Sequence, residues 1–533
     1  MADRLQRGTS TVPLFKTAGF FAALIFGLLV VPQYSIAQNA ISSSTPSPTK
    51  SDEAPLTDRE RALLNRIQKL EERLNAVEKV IPGPGAAQAA AASAVPANAS
   101  ELDRTANVAP GPGVEPGTET AAEPIPATKQ DDSAAEKFFG RYTPNFGYKV
   151  ANTEYGDMNV SIYTYARYLN QRGLASTYTD AFGITKSVQQ RQDFQLNKVQ
   201  IKFLGWIMSP KLRYFLYAWT SNANQGLGAQ VVVAGNLNYT FNKYITLSGG
   251  INGLPGTRSI EGNFPFWLGV DSRMIADEFF RGSYTSGIWA KGAITDKLRY
   301  QVMLGNNLST LGVPASRINN NFNTLASALI WTPTTGEFGA GFGDFEDHQK
   351  LATRLAFHYS RSDENKESQP NADQFENTQL RLSDGTVIFA PDIFGPGVTV
   401  TDARYQMTNV DWGLKYKGYS LEGAYYMRWL DNFGGAGTES IARIFNQGYQ
   451  VEASAMLVPK KLQVYAGYSK IFGKQGNPWD FRAGVNFFPF ENRVVRWNTE
   501  LLYLNRSPVG YTSVPFALGG KGWVFHSTWE LAF

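Results

Sequence analysis

The chain has 533 residues, of which 43% are hydrophobic and only 18% are charged, and it contains no cysteine. The missing cysteine excludes disulfide scaffolds, thiolate metal sites and cysteine nucleophiles. The formal net charge of +4 gives a nucleic-acid partner no electrostatic support.

The first segment has the features of a secretory signal. Basic residues precede an apolar run over residues 18–31, and small residues lead up to Ala37, as a signal peptidase requires. We therefore predict a signal peptide over residues 1–37, followed by a linker over 38–55. An uncleaved anchor helix is the alternative, but the run is shorter than the roughly 20 residues that span a bilayer.

Residues 56–81 carry a heptad pattern, which predicts a short α-helical coiled coil. Arginines at g positions precede glutamates at e positions by five residues, the spacing of parallel, in-register neighbours. The pattern favours a parallel oligomer and leaves its strand number open, and the alternative is a single amphipathic helix packed on its own chain. The predicted seam consists of Leu63, Ile67, Leu70, Leu74, Val77 and Ile81.

Residues 82–137 are rich in alanine, proline and glycine and nearly free of aromatic residues. Such a segment cannot bury enough apolar surface to fold, so we predict a flexible linker.

From residue 138 onward, large apolar residues alternate with polar or small ones in segments of about ten residues, the pattern of a barrel in a membrane. Segments 410–416, 419–429 and 523–533 show it most clearly. We predict an all-β fold, a transmembrane antiparallel β-barrel of about 16 strands over residues 138–533, with 18 strands as the alternative. A soluble sandwich or propeller would need polar outer faces, and these strands repeat an apolar one.

Short turns recur between these segments and divide the barrel into hairpins. A terminal Phe533 that closes an alternating strand resembles the signal read by the outer-membrane assembly machinery. The predicted turns lie at Ser209-Pro210, Asn242-Lys243, Thr295-Asp296, Thr334-Thr335-Gly336, Lys417-Gly418, Pro459-Lys460-Lys461 and Phe490-Glu491-Asn492. The longest predicted loops span residues 252–284, 305–322, 361–408 and 430–446.

Several short motifs over residues 138–533 resemble the phosphate-selective porin O and P family. They are Gly343-Asp344-Phe345-Glu346, Ala352-Thr353-Arg354-Leu355, Ser383-Asp384-Gly385-Thr386, Leu421-Glu422-Gly423-Ala424-Tyr425-Tyr426, Val458-Pro459-Lys460-Lys461 and Arg496-Trp497-Asn498. The coiled coil before the barrel is similar to that of the trimeric DcaP-like porins. The resemblance implies a homotrimeric porin of the outer membrane with its coiled coil in the periplasm. Where the family has a Lys-Pro-Phe stretch, this chain has Gly253 to Arg258, which departs from the phosphate-selective pattern.

From Phe138 onward the chain holds 37 basic and 30 acidic residues, and strand parity indicates which of them face the lumen. A ladder of inward cations selects anions, so we expect a pore for small anionic solutes, phosphate or organic anions. The predicted pore-lining cations are Arg167, Lys198, Lys202, Arg213, Lys291, Arg299, Arg354, Lys415, Arg428, Arg482 and Arg496, and the candidates in a constriction loop are Arg258, Arg273 and Arg281. Parity also directs Asp411, Glu422, Glu452 and Glu500 inward, so the opposite signs could neutralise one another.

An enzymatic function has little support. The three histidines form no metal-binding motif, and a barrel lipase would have to use His358 with Ser360, which share a face by parity. No cofactor or metal is expected; the expected partners are small anions, outer-membrane lipid, the assembly machinery and further copies of the chain. A structural protein whose coiled coil tethers the barrel to the cell wall is the alternative function.

Overall fold

A computed structural model describes residues 142–143, 146–220, 231–261, 264–318, 321–339, 341–370, 378–511 and 513–533. The chain divides into two compact units, Met1–Pro110 and Gly111–Phe533, and all described residues belong to the second. The predicted signal peptide, coiled coil and both linkers lie outside the described residues and stay predictions.

Antiparallel strands make up nearly all of the regular structure in this second unit. The strands are β1 (Tyr142–Thr143), β2 (Gly147–Thr153), β3 (Gly156–Leu174), β4 (Thr177–Thr179), β5 (Thr185–Ser187), β6 (Gln192–Ile207), β7 (Ser209–Thr220), β8 (Val231–Asn242), β9 (Ile245–Gly253), β10 (Tyr284–Thr295), β11 (Leu298–Gly305), β12 (Thr324–Trp331), β13 (Ala352–Asn365), β14 (Thr399–Tyr416), β15 (Tyr419–Ala436), β16 (Ile444–Val458), β17 (Leu462–Phe472), β18 (Trp479–Phe487), β19 (Val495–Asn505) and β20 (Lys521–Ala532). One short α-helix, α1 (Ile275–Phe280), and three 3₁₀ turns (Arg258–Ile260, Ala315–Arg317 and Thr438–Ser440) complete the described elements.

The main sheet closes on itself. From β6 to β20 each strand pairs with the next, β3 pairs with β6, and β20 returns to β3, where Trp529 lies opposite Ala166. These strands form a closed ring of 16, which confirms that count and excludes an open sandwich or a propeller.

The N-terminal hairpin and the C-terminal residue share one edge of β3. Strand β2 pairs with the start of β3, Tyr148 opposite Val160, and β20 pairs with the rest of it. Phe533 exchanges two backbone hydrogen bonds with Ile162, at 2.8 and 2.9 Å, and its ring lies 5.7 Å from that of Tyr148. The chain end is therefore built into the seam where the barrel closes.

The two faces of the barrel wall differ as the alternation predicts. In β14 the side chains of Asp411 and Lys415 are buried, whereas those of Trp412, Leu414 and Tyr416 are exposed. Strands β15 and β20 alternate with the predicted parity. A pleated strand turns successive side chains to opposite faces, so the apolar set covers the outside of the ring.

The wall's short turns lie at one end of the barrel. Lys417 and Gly418 both have positive φ, 49° and 79°, the conformation of a tight hairpin turn between β14 and β15. The predicted turn at Thr334-Thr335-Gly336 is wrong as a short connection. The Gly336 amide donates a hydrogen bond to the Thr332 carbonyl, as in a turn, but the chain enters no strand after this turn until β13.

Residues 332–351, which we call the inner segment, fold into the barrel from this short-turn end. Phe338, Phe342 and Phe345 are 4 to 7% exposed there. Exposing the apolar surface of these aromatic residues to water would cost free energy, and the interior of the ring covers that surface. Their burial is the physical reason that this connection is long.

At the opposite, long-loop end the loops are shorter than predicted in two places. The connections include residues 175–191, 254–283, 306–323, 366–398, 437–443, 473–478 and 506–520. Predicted loops 361–408 and 430–446 are too long, because β13 to β16 continue to the rim with charged outward residues that obscured their alternation. The loop over 506–520 was not predicted among the longest.

Several of these loops fold inward and build an apolar core inside the barrel. Phe279, Phe280, Leu382, Phe389 and Phe516 are buried and pack against one another and against inward strand residues. The lumen at this end is therefore partly filled by apolar side chains, which the expected polar interior did not include.

The pairing of β20 with β3 and β19 should be essential for folding. Ser527→Pro removes a ladder amide in the middle of β20, and proline is excluded from strands that are paired on both edges. We expect this variant to lose the compact band of folded barrel in unheated electrophoresis after refolding into detergent.

Ala315→Pro is the matched control. Ala315 is the first residue of a 3₁₀ turn, where proline is tolerated, so this variant should keep the compact band. A folded Ser527→Pro barrel would contradict the closed-ring topology.

Candidate functional site

The loop over residues 254–283, which we call the lumen loop, crosses the interior of the barrel. Inward side chains of the wall bind its backbone. The Ile275 amide donates to Asp480 at 3.2 Å, and Arg496 donates to the Trp267 carbonyl at 2.6 Å. Since buried backbone groups must find partners, these bonds explain why a loop without strands can lie inside the ring.

Ion pairs join the lumen loop to strands β13 to β15. Arg354 pairs with Asp411 at 2.7 Å and with Glu261 of the loop at 2.8 Å. Arg258 of the loop pairs with Glu422 at 2.9 Å and donates to the Gly341 carbonyl of the inner segment. These charges are buried inside the ring, and each of the two cations is matched by a carboxylate.

The same neutralisation extends around β18 to β20 and β6. Arg496 makes a two-pronged contact with Glu530, at 2.6 and 2.9 Å. Arg482 lies 3.7 Å from Glu500. Two strands beyond β20 in the ring, Lys198 on β6 contacts Asp271 of the lumen loop at 2.5 Å.

Three further predicted cations hold loop carbonyls. Arg428 donates to the Arg381 carbonyl at 2.7 Å, Lys415 to the Gly341 carbonyl at 2.6 Å, and Arg167 to the Ser513 carbonyl at 2.7 Å. Each of the three side chains is at most 1% exposed. They fasten loops to the wall and do not line open space.

The helix α1 carries a charge cluster of its own. Glu278 accepts from Arg273 and Arg281, each at 2.6 Å, and from the Tyr511 hydroxyl at 2.9 Å. Burial opposes ionisation of Glu278, but the neighbouring Arg281 and Arg273 prevail and lower its pKa to about 2. Two of the candidate constriction arginines are thus compensated by one carboxylate that stays ionised at neutral pH.

The wall formed by β7 to β12 is chemically different. These strands contain no aspartate or glutamate. Their inward face presents uncharged polar residues, among them Asn238, Ser248 and Gln301, together with cations. The asymmetry leaves this half of the lumen with an uncompensated positive charge.

Lys291 is the central cation of this wall. It lies inward on β10, next to Trp289 on the same face and opposite Thr246 and Gln301. Among the described residues it makes no hydrogen bond or ion pair. The predicted role of Lys291 as an anion-attracting group is compatible with this position.

The other predicted cations on this side lie toward the short-turn end or on β6. Arg213 donates to the Pro210 carbonyl at 3.4 Å, and Arg299 is exposed and donates to the Gly336 carbonyl at 2.8 Å. Lys202 is inward on β6, opposite Tyr217, and is 3% exposed. These residues surround the same side of the lumen as Lys291.

The sequence analysis treated all of these cations alike, because strand parity indicates which face a side chain lies on and not which groups it binds. It missed the loop carboxylates Glu261 and Asp271, which neutralise the wall cations Arg354 and Lys198. It also missed Glu278, which neutralises two arginines of the same loop. One signal was available: the stretch from Ser209 to Trp331 holds all of its described acidic residues outside the strands. That segregation could have singled out Lys291 in advance.

A metal ion could use one group of side chains in the inner segment. Asp344, Glu346 and His348 each place a ligand atom within 4.8 Å of the others. In the present structure Asp344 hydrogen-bonds to His348, and Glu346 pairs with Arg493 at 3.0 Å. The group thereby joins the inner segment to the turn between β18 and β19.

The pair considered for a lipase does not form a catalytic arrangement. Both ring nitrogens of His358 are engaged, one with Asp411 at 2.6 Å and the other with the Pro255 carbonyl at 3.0 Å. Within the described part of the chain, the Ser360 hydroxyl makes no hydrogen bond, so His358 and Ser360 are not joined. The histidine therefore positions the lumen loop.

Within the described residues, no helix is long and apolar enough to cross a membrane.

Comparison with known proteins gives structural matches alone. No family model matches the chain, and no curated protein matches its sequence. The fold is similar to that of OmpT of Vibrio cholerae, with a TM-score of 0.45 and 10% identity over 72% of this chain and 99% of that one. It is similar to the anion-selective porin from Comamonas acidovorans, with a TM-score of 0.42 and 9% identity over 71% and 100%. It is also similar to the channel DcaP of Acinetobacter baumannii, with a TM-score of 0.42 and 8% identity over 72% and 99%.

Proposed function

We propose that this chain is an outer-membrane porin that passes small anionic solutes, phosphate or organic anions, by passive diffusion. The observation that carries the proposal is the wall of β7 to β12, which has inward cations and no carboxylate. A barrel in lipid must satisfy its backbone internally and expose an apolar band. The closed ring and its exposed outward residues, such as Leu237, Leu247 and Leu304, meet both requirements.

The path for solute lies along this wall. On the opposite side the lumen loop and the inner segment occupy the interior, and their carboxylates compensate the wall cations. Two unit charges about 8 Å apart interact by about 0.5 kcal/mol in water and about 2 kcal/mol at an effective dielectric constant of 20. Because Lys291 attracts an anion and repels a cation, the two energies add, and Lys291 alone would favour the anion by a factor between about 6 and about 1,000.

The proposed assembly is a homotrimer in the outer membrane, with the coiled coil over residues 56–81 in the periplasm. Its support is the parallel heptad pattern and the many exposed aliphatic side chains on β6 to β9, including Ile201, Val233 and Leu247. Phe533 in the barrel seam is proposed as the residue that the assembly machinery reads.

Charge reversal at Lys291 tests the anion path. Lys291→Glu should lower the anion-over-cation permeability ratio by at least about tenfold, and Lys291→Met should lower it by a smaller factor, since the positive charge is then removed and not reversed. The ratio is obtained from reversal potentials across a planar bilayer in a KCl gradient.

Lys470→Glu is the matched control because Lys470 lies on the outward face of β17. It should leave the reversal potential unchanged. Cation selectivity in the unaltered protein, or an equal response to both reversals, would contradict the proposed function.

The charge cluster on α1 makes a second prediction, for pH. A carboxyl whose folded-state pKa is lowered from 4.5 to about 2 contributes stability that is fully present above about pH 4.5 and is lost as the pH falls through about 2. The contacts of Glu278 with Arg273 and Arg281 should therefore persist between pH 5 and 8, and the conductance change that follows their loss should appear only at strongly acidic pH.

Glu278→Gln should increase anion selectivity at neutral pH, because Arg273 and Arg281 lose their shared counter-charge. Glu439→Gln, at an exposed loop position, is the control. A shift of the Glu278→Gln reversal potential toward cation selectivity would show that these arginines do not face the conducting path.

A further inference from the structure

A cluster of arginines lies on the outward face of the barrel at the long-loop end. Arg361 is on β13, Arg404 on β14, and Arg443 immediately precedes β16. Their side chains are 43, 31 and 53% exposed. They point away from the lumen, so the proposed anion path does not use them.

Neighbouring carboxylates hold the three guanidinium groups in a fixed arrangement. Arg404 pairs with Asp363 at 2.8 Å, and Arg361 lies 3.6 Å from the same carboxylate. Arg443 pairs with Asp431 at 3.1 Å. Register places Arg404 between Asp363 and Asp431 across three adjacent strands, so the cluster is continuous along the rim.

The cluster lies at the level of a membrane surface. On β14, the outward residues from Tyr416 to Val410 are apolar, and the next two, Thr408 and Gln406, are polar but uncharged. The first outward charge, Arg404, lies about 40 Å along the strand from Tyr416. With a strand tilt of about 40°, this distance corresponds to about 30 Å across the membrane, close to the apolar band of an outer-membrane barrel. Trp429 lies 5.5 Å beneath the Arg443 guanidinium, as expected where the apolar band ends.

We propose that Arg361, Arg404 and Arg443 bind a phosphate group on the headgroup of a phosphorylated glycolipid in the outer leaflet. This inference rests on the membrane placement in the proposed function. Each guanidinium has five N–H donors, and one carboxylate contact leaves several of them unused. Arginine contacts phosphate through two parallel hydrogen bonds. The carboxylates nearly balance the charge, so recognition depends on the orientation of these donors.

The test measures lipid binding to the full-length protein in detergent by native mass spectrometry. The probes are diphosphorylated lipid A and the same lipid without phosphates. We expect the protein to retain the phosphorylated probe at least tenfold better. The triple variant Arg361→Gln, Arg404→Gln, Arg443→Gln should lose this preference, and a triple Arg→Lys variant should retain only part of it.

A variant with Lys417→Gln, Lys460→Gln and Lys461→Gln changes an equal number of cations at the short-turn end and should bind like the unaltered protein. Single-channel conductance checks that each variant is folded and is expected to be unchanged. Equal binding of the two lipids, undiminished binding by the triple glutamine variant, or competition by millimolar inorganic phosphate would overturn the proposal. The reversal-potential experiment on Lys291 is independent of all these outcomes.

Discussion

The structure depends on the closure of one sheet. A strand edge presents unpaired amides and carbonyls, and only a ring removes every edge. Closure here requires β20 to pair along β3, and the two backbone bonds between Phe533 and Ile162 extend that pairing to the last residue of the chain. Every property of the interior follows, because a ring divides side chains into an outer apolar set and an inner enclosed set.

The enclosed side chains hold the loops in place and set the electric field in the lumen, and both roles use the same cations. A long loop inside a barrel carries backbone carbonyls that water reaches poorly, so it needs donors from the wall. Arg167, Arg428 and Lys415 supply them. Carboxylates of neighbouring strands and of the loop compensate Arg354, Arg482 and Arg496. A cation used in this way contributes to the position of the loop and little to the field in the open lumen.

Much of the barrel could be predicted from the sequence. Period-two alternation predicted the strands and their inward and outward faces, because each strand of a closed barrel has one side in and one side out. The seven predicted short turns gave the count of 16 strands. The inner segment was not predictable in this way. Gly336 resembles an ordinary turn glycine, and only tertiary packing shows that Phe338 and Phe342 return to the interior. Loop bounds failed at β13 to β16 because outward charges at the rim interrupt the alternation.

The sequence predicted which side chains of the candidate site face inward, but not which groups they pair with. Parity correctly directed Arg354, Arg482 and Arg496 inward, yet their carboxylate partners come from other strands and from the lumen loop, whose path has no periodic signal. The coiled coil, the signal peptide and the trimer lie outside what the described residues can test.

The division of the lumen into two halves has a physical logic. If cations and carboxylates alternated around the whole ring, their fields would cancel along the axis and no ion would be preferred. Separating them, with compensated pairs behind the lumen loop and an acid-free wall across from it, leaves a one-sided positive field. Low-dielectric walls concentrate such a field. In the proposed pore, Lys291 at the centre of the acid-free wall then acts on a passing solute, although Arg354, Arg482 and Arg496 are neutralised by carboxylates.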